Sequence, residues 1–98
     1  MERAEASCHC GACAIGLVRG PEEVTQCNCS ICRRYGVLWA YYGTGEVEMS
    51  GVGATQVYQW DDRSIEFHRC AGCGCVTHWW PVDPARGRMG VNARLPRG

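Results

Sequence analysis

Three thiols fall within six residues at Cys27-Asn28-Cys29-Ser30-Ile31-Cys32, and no other feature of this chain restricts its fold as strongly. Thiols this close in sequence do not serve three separate roles; their spacing suits ligation of one ion. Six more cysteines flank them, Cys8, Cys10 and Cys13 on one side and Cys70, Cys73 and Cys75 on the other. Four thiolates saturate a tetrahedral zinc, whereas three leave one position open for water or substrate. The central trio therefore reads as a reactive zinc site, and the flanking cysteines as the source of a second, structural one.

Nine cysteines in a short chain also suit a secreted disulfide scaffold. The odd number argues against that, as does the polar stretch Met1 to Ser7, which has no apolar signal-peptide core. No apolar run approaches membrane-spanning length, the longest clear one being Val37 to Tyr42. The expectation is a soluble protein in the reducing cytoplasm. Its 98 residues make one domain, spanning 1–98. A chain of this size buries only about two-thirds of its unfolded surface, so a structural metal is the natural reinforcement. Ten basic and ten acidic residues cancel, and thiolate-bound zinc would make the fold more acidic still. With no basic excess to neutralise phosphates, nucleic acid is not an expected partner.

Read in order, the chain is a series of short strands. Cys8-His9-Cys10-Gly11 forms a first metal half-site, with Gly11 letting the backbone turn amides toward the thiolates. A strand is expected over Ala12–Val18, and another, short one, over Val24–Gln26 leading into the trio. Ser30 to Tyr35 predicts one helical turn, stopped by Gly36, whose first amides would face Cys29 and Cys32. Further strands are expected over Val37–Tyr42, Glu46–Met49, Thr55–Trp60, Ser64–His68, Val76–Trp80 and Met89–Ala93. Gly43, Gly45, Gly51 and Gly53 mark turns, and Asp61-Asp62 ends a strand. Ser64–His68 alternates, with Ile65 and Phe67 inward and Glu66 outward. About eight short strands with almost no helix predict an all-β domain.

Cys70-Ala71-Gly72-Cys73-Gly74 between two strands is a zinc knuckle, but only half a site. Cys8 and Cys10 are the other compact pair whose use leaves the trio whole, and joining them to Cys70 and Cys73 closes a long loop. Two alternatives stay open: the trio could join Cys8 or Cys10 in a four-thiolate site, or be completed by His9, His68, His78, Cys13 or Cys75. Cys13 and Cys75 read as small buried hydrophobes. Arg33 and Arg34 follow Cys32 directly and are either a solvated pair or a carboxylate clamp beside the open zinc. Trp79 and Trp80 adjoin in a strand and must point to opposite faces.

Taken together, Cys-His-Cys-Gly, then Cys-x-Cys-Ser-x-Cys-Arg-Arg, then Cys-x-x-Cys-Gly resembles the glutathione-dependent formaldehyde-activating enzyme family, also called the centromere-protein-V-like or carbon-sulfur lyase family. The resemblance runs from Cys8 to about Leu95. It implies a small Mss4-like β fold, a structural zinc on Cys8, Cys10, Cys70 and Cys73, and a reactive zinc on Cys27, Cys29 and Cys32. Cys13 and Cys75 stand where the family more usually has other small residues, and the segment after Arg34 is shorter than usual.

The expected function is zinc-dependent carbon–sulfur chemistry on a small thiol such as glutathione, with Arg33 or Arg34 holding a substrate carboxylate. Tyr41 and His78 are candidates for moving a proton. The alternative is a zinc-stabilised module that binds a protein or nucleic acid. The oligomeric state is not legible in the sequence.

Overall fold

Period-two alternation along short strands divides this chain's apolar residues between the two faces of a sheet, and both faces are used. The computed structural model describes residues 3–51, 54–60 and 62–96. The expected turn at Gly53 and strand stop at Asp61 lie outside them, as does Met1 at the head of the polar N-terminal stretch. The described residues form eight strands: β1 (Ala4–Ser7), β2 (Ala14–Leu17), β3 (Trp39–Gly43), β4 (Val47–Ser50), β5 (Thr55–Tyr58), β6 (Ile65–Cys70), β7 (Val76–Pro81) and β8 (Arg88–Asn92). Among the described residues one α-helix, α1, covers Ser30–Tyr35. The fold is all-β, as the sequence predicts.

The strands build two antiparallel sheets, one in the order β1-β2-β4 and one in the order β3-β8-β7-β6-β5. Ile15 and Leu17 of β2 pack with Ala40 and Tyr42 of β3 and Met89 and Val91 of β8, which forms the core between the sheets. The intervening residues of the larger sheet, Trp39, Phe67 and Trp79, face the other way and pack beneath α1 and the cysteine trio. One sheet therefore carries the hydrophobic core on one face and the candidate site on the other.

Two expectations need correction. Val24–Gln26 is not a strand: Thr25 makes one isolated bridge, donating its amide to the Trp39 carbonyl at 2.8 Å and accepting from the Trp39 amide at 2.9 Å. The eighth strand is instead β1, in the polar N-terminal stretch. It pairs Ala6 with Ile15 and buries Ala6 against the core. Alanine is a weak strand former, so this strand is made by tertiary pairing rather than by local preference.

The alternation in β6 is also more crowded than expected. Phe67 is buried on the site face and His68 on the core face, while Glu66 is half-buried and accepts hydrogen bonds from Trp80 Nε1 (2.8 Å). The β6–β7 register shifts at His68/Arg69, leaving Thr77 as an extra residue opposite that step. The bulge places Val76 on the site face together with Trp79. Trp79 and Trp80 point to opposite faces, as two neighbours on a strand must, and each is half-buried.

Candidate functional site

Two groups of sulfurs converge. Those of Cys8, Cys10, Cys70 and Cys73 all lie within 4.8 Å of one another, and so do those of Cys27, Cys29 and Cys32. All nine cysteines are free thiols.

In the four-sulfur group, Cys8 Sγ lies 3.7 Å from Cys10 Sγ, which lies 3.5 Å from Cys70 Sγ. A tetrahedral zinc with bonds of about 2.3 Å needs sulfurs about 3.8 Å apart, so the donor set fits the ion in chemistry and in spacing. Local backbone explains the convergence. Gly11, at φ +83°, reverses the chain after Cys10, and the Cys13 amide then donates to Cys8 Sγ at 3.3 Å. Gly74, at φ +80°, reverses it again after Cys73. Amides of Cys75 and Cys10 hold the Cys73 thiol down to about 5, and those of Cys73 and Gly72 lower Cys70. The Ala12 amide pulls Cys10 down, but the neighbouring Cys70 and Cys8 push harder, and it stands at about 11. Sulfurs that share protons in this way lose them together to a divalent cation.

Cys13 and Cys75 pack against this group without joining it. Burial, with Cys70 and Cys8 close by, pushes the Cys13 thiol up to about 12, and its Sγ reaches the Gly51 carbonyl at 3.5 Å. Cys13 is a buried thiol, as its sequence position suggests, whereas Cys75 is only half-buried. His9 is exposed, and His68 and His78 are buried on the core face of the larger sheet. Among the described residues, no fourth side chain joins the sulfurs of the trio.

The trio is held by α1. Cys29 is its N-cap, with extended backbone, and Gly36 closes its other end in the left-handed region. Burial raises the Cys29 thiol, but the Cys32 amide, the Cys32 and Cys27 thiols and the Ile31 amide together outweigh it and bring the group below its ordinary value. Burial pushes Cys32 up to about 12, against a hydrogen bond from the Trp39 indole, whose Nε1 donates to Cys32 Sγ at 3.3 Å. Cys32 therefore holds its proton more firmly than Cys29 does, and a cation entering the trio must displace it.

All three sulfurs line a cavity of about 350 Å³. Its walls are aromatic, formed by Trp39, Tyr41, Trp60, Phe67 and Trp79, with Asp62 and Ser64 supplying polar groups. Trp60, Asp62, Ser64, Phe67 and Trp79 are cavity residues that sequence reasoning did not assign to the site. The strand phase of β6 and β7 could have signalled Phe67 and Trp79, which sit opposite each other in register.

Arg33 and Arg34 do not line this cavity, contrary to the expected clamp. Both are exposed on α1. Arg34 Nη1 donates to the Ser30 carbonyl at 2.9 Å, and Arg33 lines a separate crevice of about 70 Å³ that Cys27 and Cys32 reach from its other side. A six-residue helix turns successive side chains through successive faces, so the arginines that follow Cys32 cannot share its inward direction. His78 is likewise excluded: it is fully buried and burial, with His68 stacked on it, holds its imidazole down to about 3. Tyr41 does line the cavity.

The chain is similar to known proteins along most of its length. A crystal structure of a Rhodobacter sphaeroides protein is 31% identical, with a TM-score of 0.83 over 96% of this chain and 88% of that one. Curated proteins gave no match. The family described as glutathione-dependent formaldehyde-activating enzyme matches residues 3–94. Cysteine clusters, cavity and family match converge, and the chain belongs to the glutathione-dependent formaldehyde-activating enzyme family.

Proposed function

We propose that this chain is a zinc enzyme of the carbon–sulfur lyase type that joins a small thiol to formaldehyde or a similar carbonyl, and runs the reverse cleavage. Glutathione is the thiol that the family suggests. The observation that carries the reading is a group of three sulfurs, with no fourth protein ligand among the described residues, opening on a cavity of about 350 Å³. The four-sulfur group is the structural zinc site of this reading, and the nine free thiols support a reducing, cytoplasmic setting.

Zinc bound by three thiolates is a weak Lewis acid that lowers the pKa of an incoming thiol while leaving its sulfur nucleophilic. The chain's own part is to hold that chemistry in place. Cys27, Cys29 and Cys32 supply the thiolates, and the Trp39 indole steadies Cys32. Trp60, Phe67 and Trp79 supply apolar wall to the cavity on which the sulfurs open. The thiol sulfur forms a bond to the carbonyl carbon, the carbonyl electron pair moves to oxygen, and that oxygen takes the proton the thiol gives up. Tyr41 and Ser64 carry hydroxyl groups in the lining of the cavity, and on this reading they relay it.

Exchange NMR tests this directly, because free glutathione and its S-hydroxymethyl adduct with ¹³C-formaldehyde interconvert at equilibrium. The protein should accelerate that exchange, and Cys29→Ser should abolish the acceleration while leaving the fold intact. An exchange rate unaffected by the protein for glutathione and for smaller thiols alike would favour the binding-module alternative.

A further inference from the structure

We propose that the thiol this chain prefers carries a positive charge, an ammonium or quaternary ammonium group, and that Asp62 with the rings of Trp60, Tyr41 and Trp79 recognises it. The inference rests on the open three-thiolate centre proposed above and narrows its substrate class.

Charge is the first argument. Asp62 is the one charged side chain among the described residues that line the cavity, and it is an acid. The Ser64 amide donates to its Oδ1 at 3.0 Å, and Ser64, through its hydroxyl and its amide, with a smaller pull from the Arg86 charge outside the cavity lining, holds the carboxyl below the usual range. Three thiolates on a dipositive ion already leave a net negative charge, and a bound substrate thiolate adds another. Glutathione brings two carboxylates and one ammonium to the same place. No arginine in the cavity receives those carboxylates: Arg34 is engaged with the Ser30 carbonyl, and Arg33 lies in the crevice on the far side of Cys27 and Cys32. Arg88 stacks 4.2 Å above the Tyr41 ring but lines the neighbouring depression with Glu22 and Glu23.

Wall chemistry is the second argument. Five aromatic side chains surround the space. Aromatic faces attract cations through the ring quadrupole, most strongly tryptophan and more so out of water, and a cage of such rings is a known solution for ammonium ligands. Tyr41 and Trp79 meet edge to face with centroids 6.2 Å apart, which fixes two of the walls at an angle to each other. Trp60 stands at the mouth beside Asp62, still 39% exposed and able to cover a ligand. A small thiol that also bears an ammonium would set its sulfur at the trio and its charge among Asp62 and these rings, which line the same cavity.

Cobalt in place of zinc makes the trio visible, since each added thiolate strengthens the sulfur-to-metal charge-transfer band. The protein should be titrated with cysteamine, 2-mercaptoethanol, 3-mercaptopropionate and glutathione, each corrected for its thiolate fraction. Cysteamine should bind more tightly than 3-mercaptopropionate or glutathione, on the order of tenfold. Asp62→Asn keeps the acceptor for the Ser64 amide and removes the charge, so it should collapse most of that preference; Trp60→Leu should reduce it. Anionic thiols binding as well as cysteamine, or a preference unchanged in Asp62→Asn, would overturn the inference while leaving the open centre standing. A band indifferent to all four thiols would remove the open centre and the inference with it.

Discussion

What each thiol in this protein does follows from which groups point at its sulfur. Cys73 and Cys29 face backbone amides and fall below their ordinary values, whereas the buried Cys13 and Cys32 rise to about 12. Burial alone favours the thiol and aimed N–H groups favour the thiolate. The buried histidines obey the same rule with the opposite charge. Thr77 Oγ1 donates to the His68 carbonyl, so its lone pair accepts from His78 Nδ1 at 2.8 Å, and Nε2 is left without a partner among the described residues. His78 thus stays neutral in the fold down to about pH 3, while an unfolded histidine takes a proton near pH 6.5. Between those values the unfolded chain binds more protons, so stability falls as pH falls, by up to about 1.4 kcal/mol per pH unit from this one group. His68, lowered by burial against the pull of Glu66, adds in the same direction. Urea midpoints measured from about pH 7 down to about pH 5.5 should decline for the native protein and decline less for His78→Phe. Equal slopes would show that His78 is not held neutral.

Elements place the site by alternation, and one close approach controls its floor. Gly90 of β8 is paired in register with Trp79 of β7, and a Cβ at Gly90 would fall 2.1 Å from Trp79 Nε1. The indole lies across the glycine, and that is how a tryptophan becomes the floor of the cavity. Gly90→Ala should push Trp79 into the cavity, cost about 1–3 kcal/mol in thermal or urea unfolding, and shift the tryptophan fluorescence. A variant with native stability and an unchanged spectrum would contradict this packing. Much of this level was legible in the sequence. The helix at Ser30–Tyr35, its stop at Gly36, the strands that enter and leave the Cys70–Cys73 knuckle, and the two-faced Trp79-Trp80 pair are all local patterns. The strand at Ala4–Ser7 was not, because alanine and serine gain a strand only by pairing with β2. Nor were Trp60 and Asp62, which reach the cavity from a connection whose course depends on the whole sheet. The arginines misled for a related reason: each step along a helix turns the side chain by about 100°, so Arg33, next to Cys32 in sequence, lines the neighbouring crevice rather than the cavity.

At the scale of the molecule, the four-sulfur group ties the N-terminal hairpin to a knuckle 60 residues away, from Cys10 to Cys70. Structural zinc sites have apparent binding free energies on the order of 10 kcal/mol, comparable to the whole stability of a small domain. Cys8→Ser should therefore give unfolded or insoluble protein. Cys29→Ser, at the three-sulfur group, should leave a folded protein with one firmly held metal and no activity. Similar thermal losses in the two variants would mean that both groups are structural.

The central claim is that one metal centre is closed and the other open, and X-ray absorption at the zinc edge measures it most directly. Seven protein sulfurs shared by two zinc ions predict an average of three and a half sulfurs per zinc, with oxygen or nitrogen completing the rest, and a rise to four when a small thiol is added. Four sulfurs per zinc before any thiol is added, or a single zinc per chain that Cys29→Ser does not affect, would contradict the account.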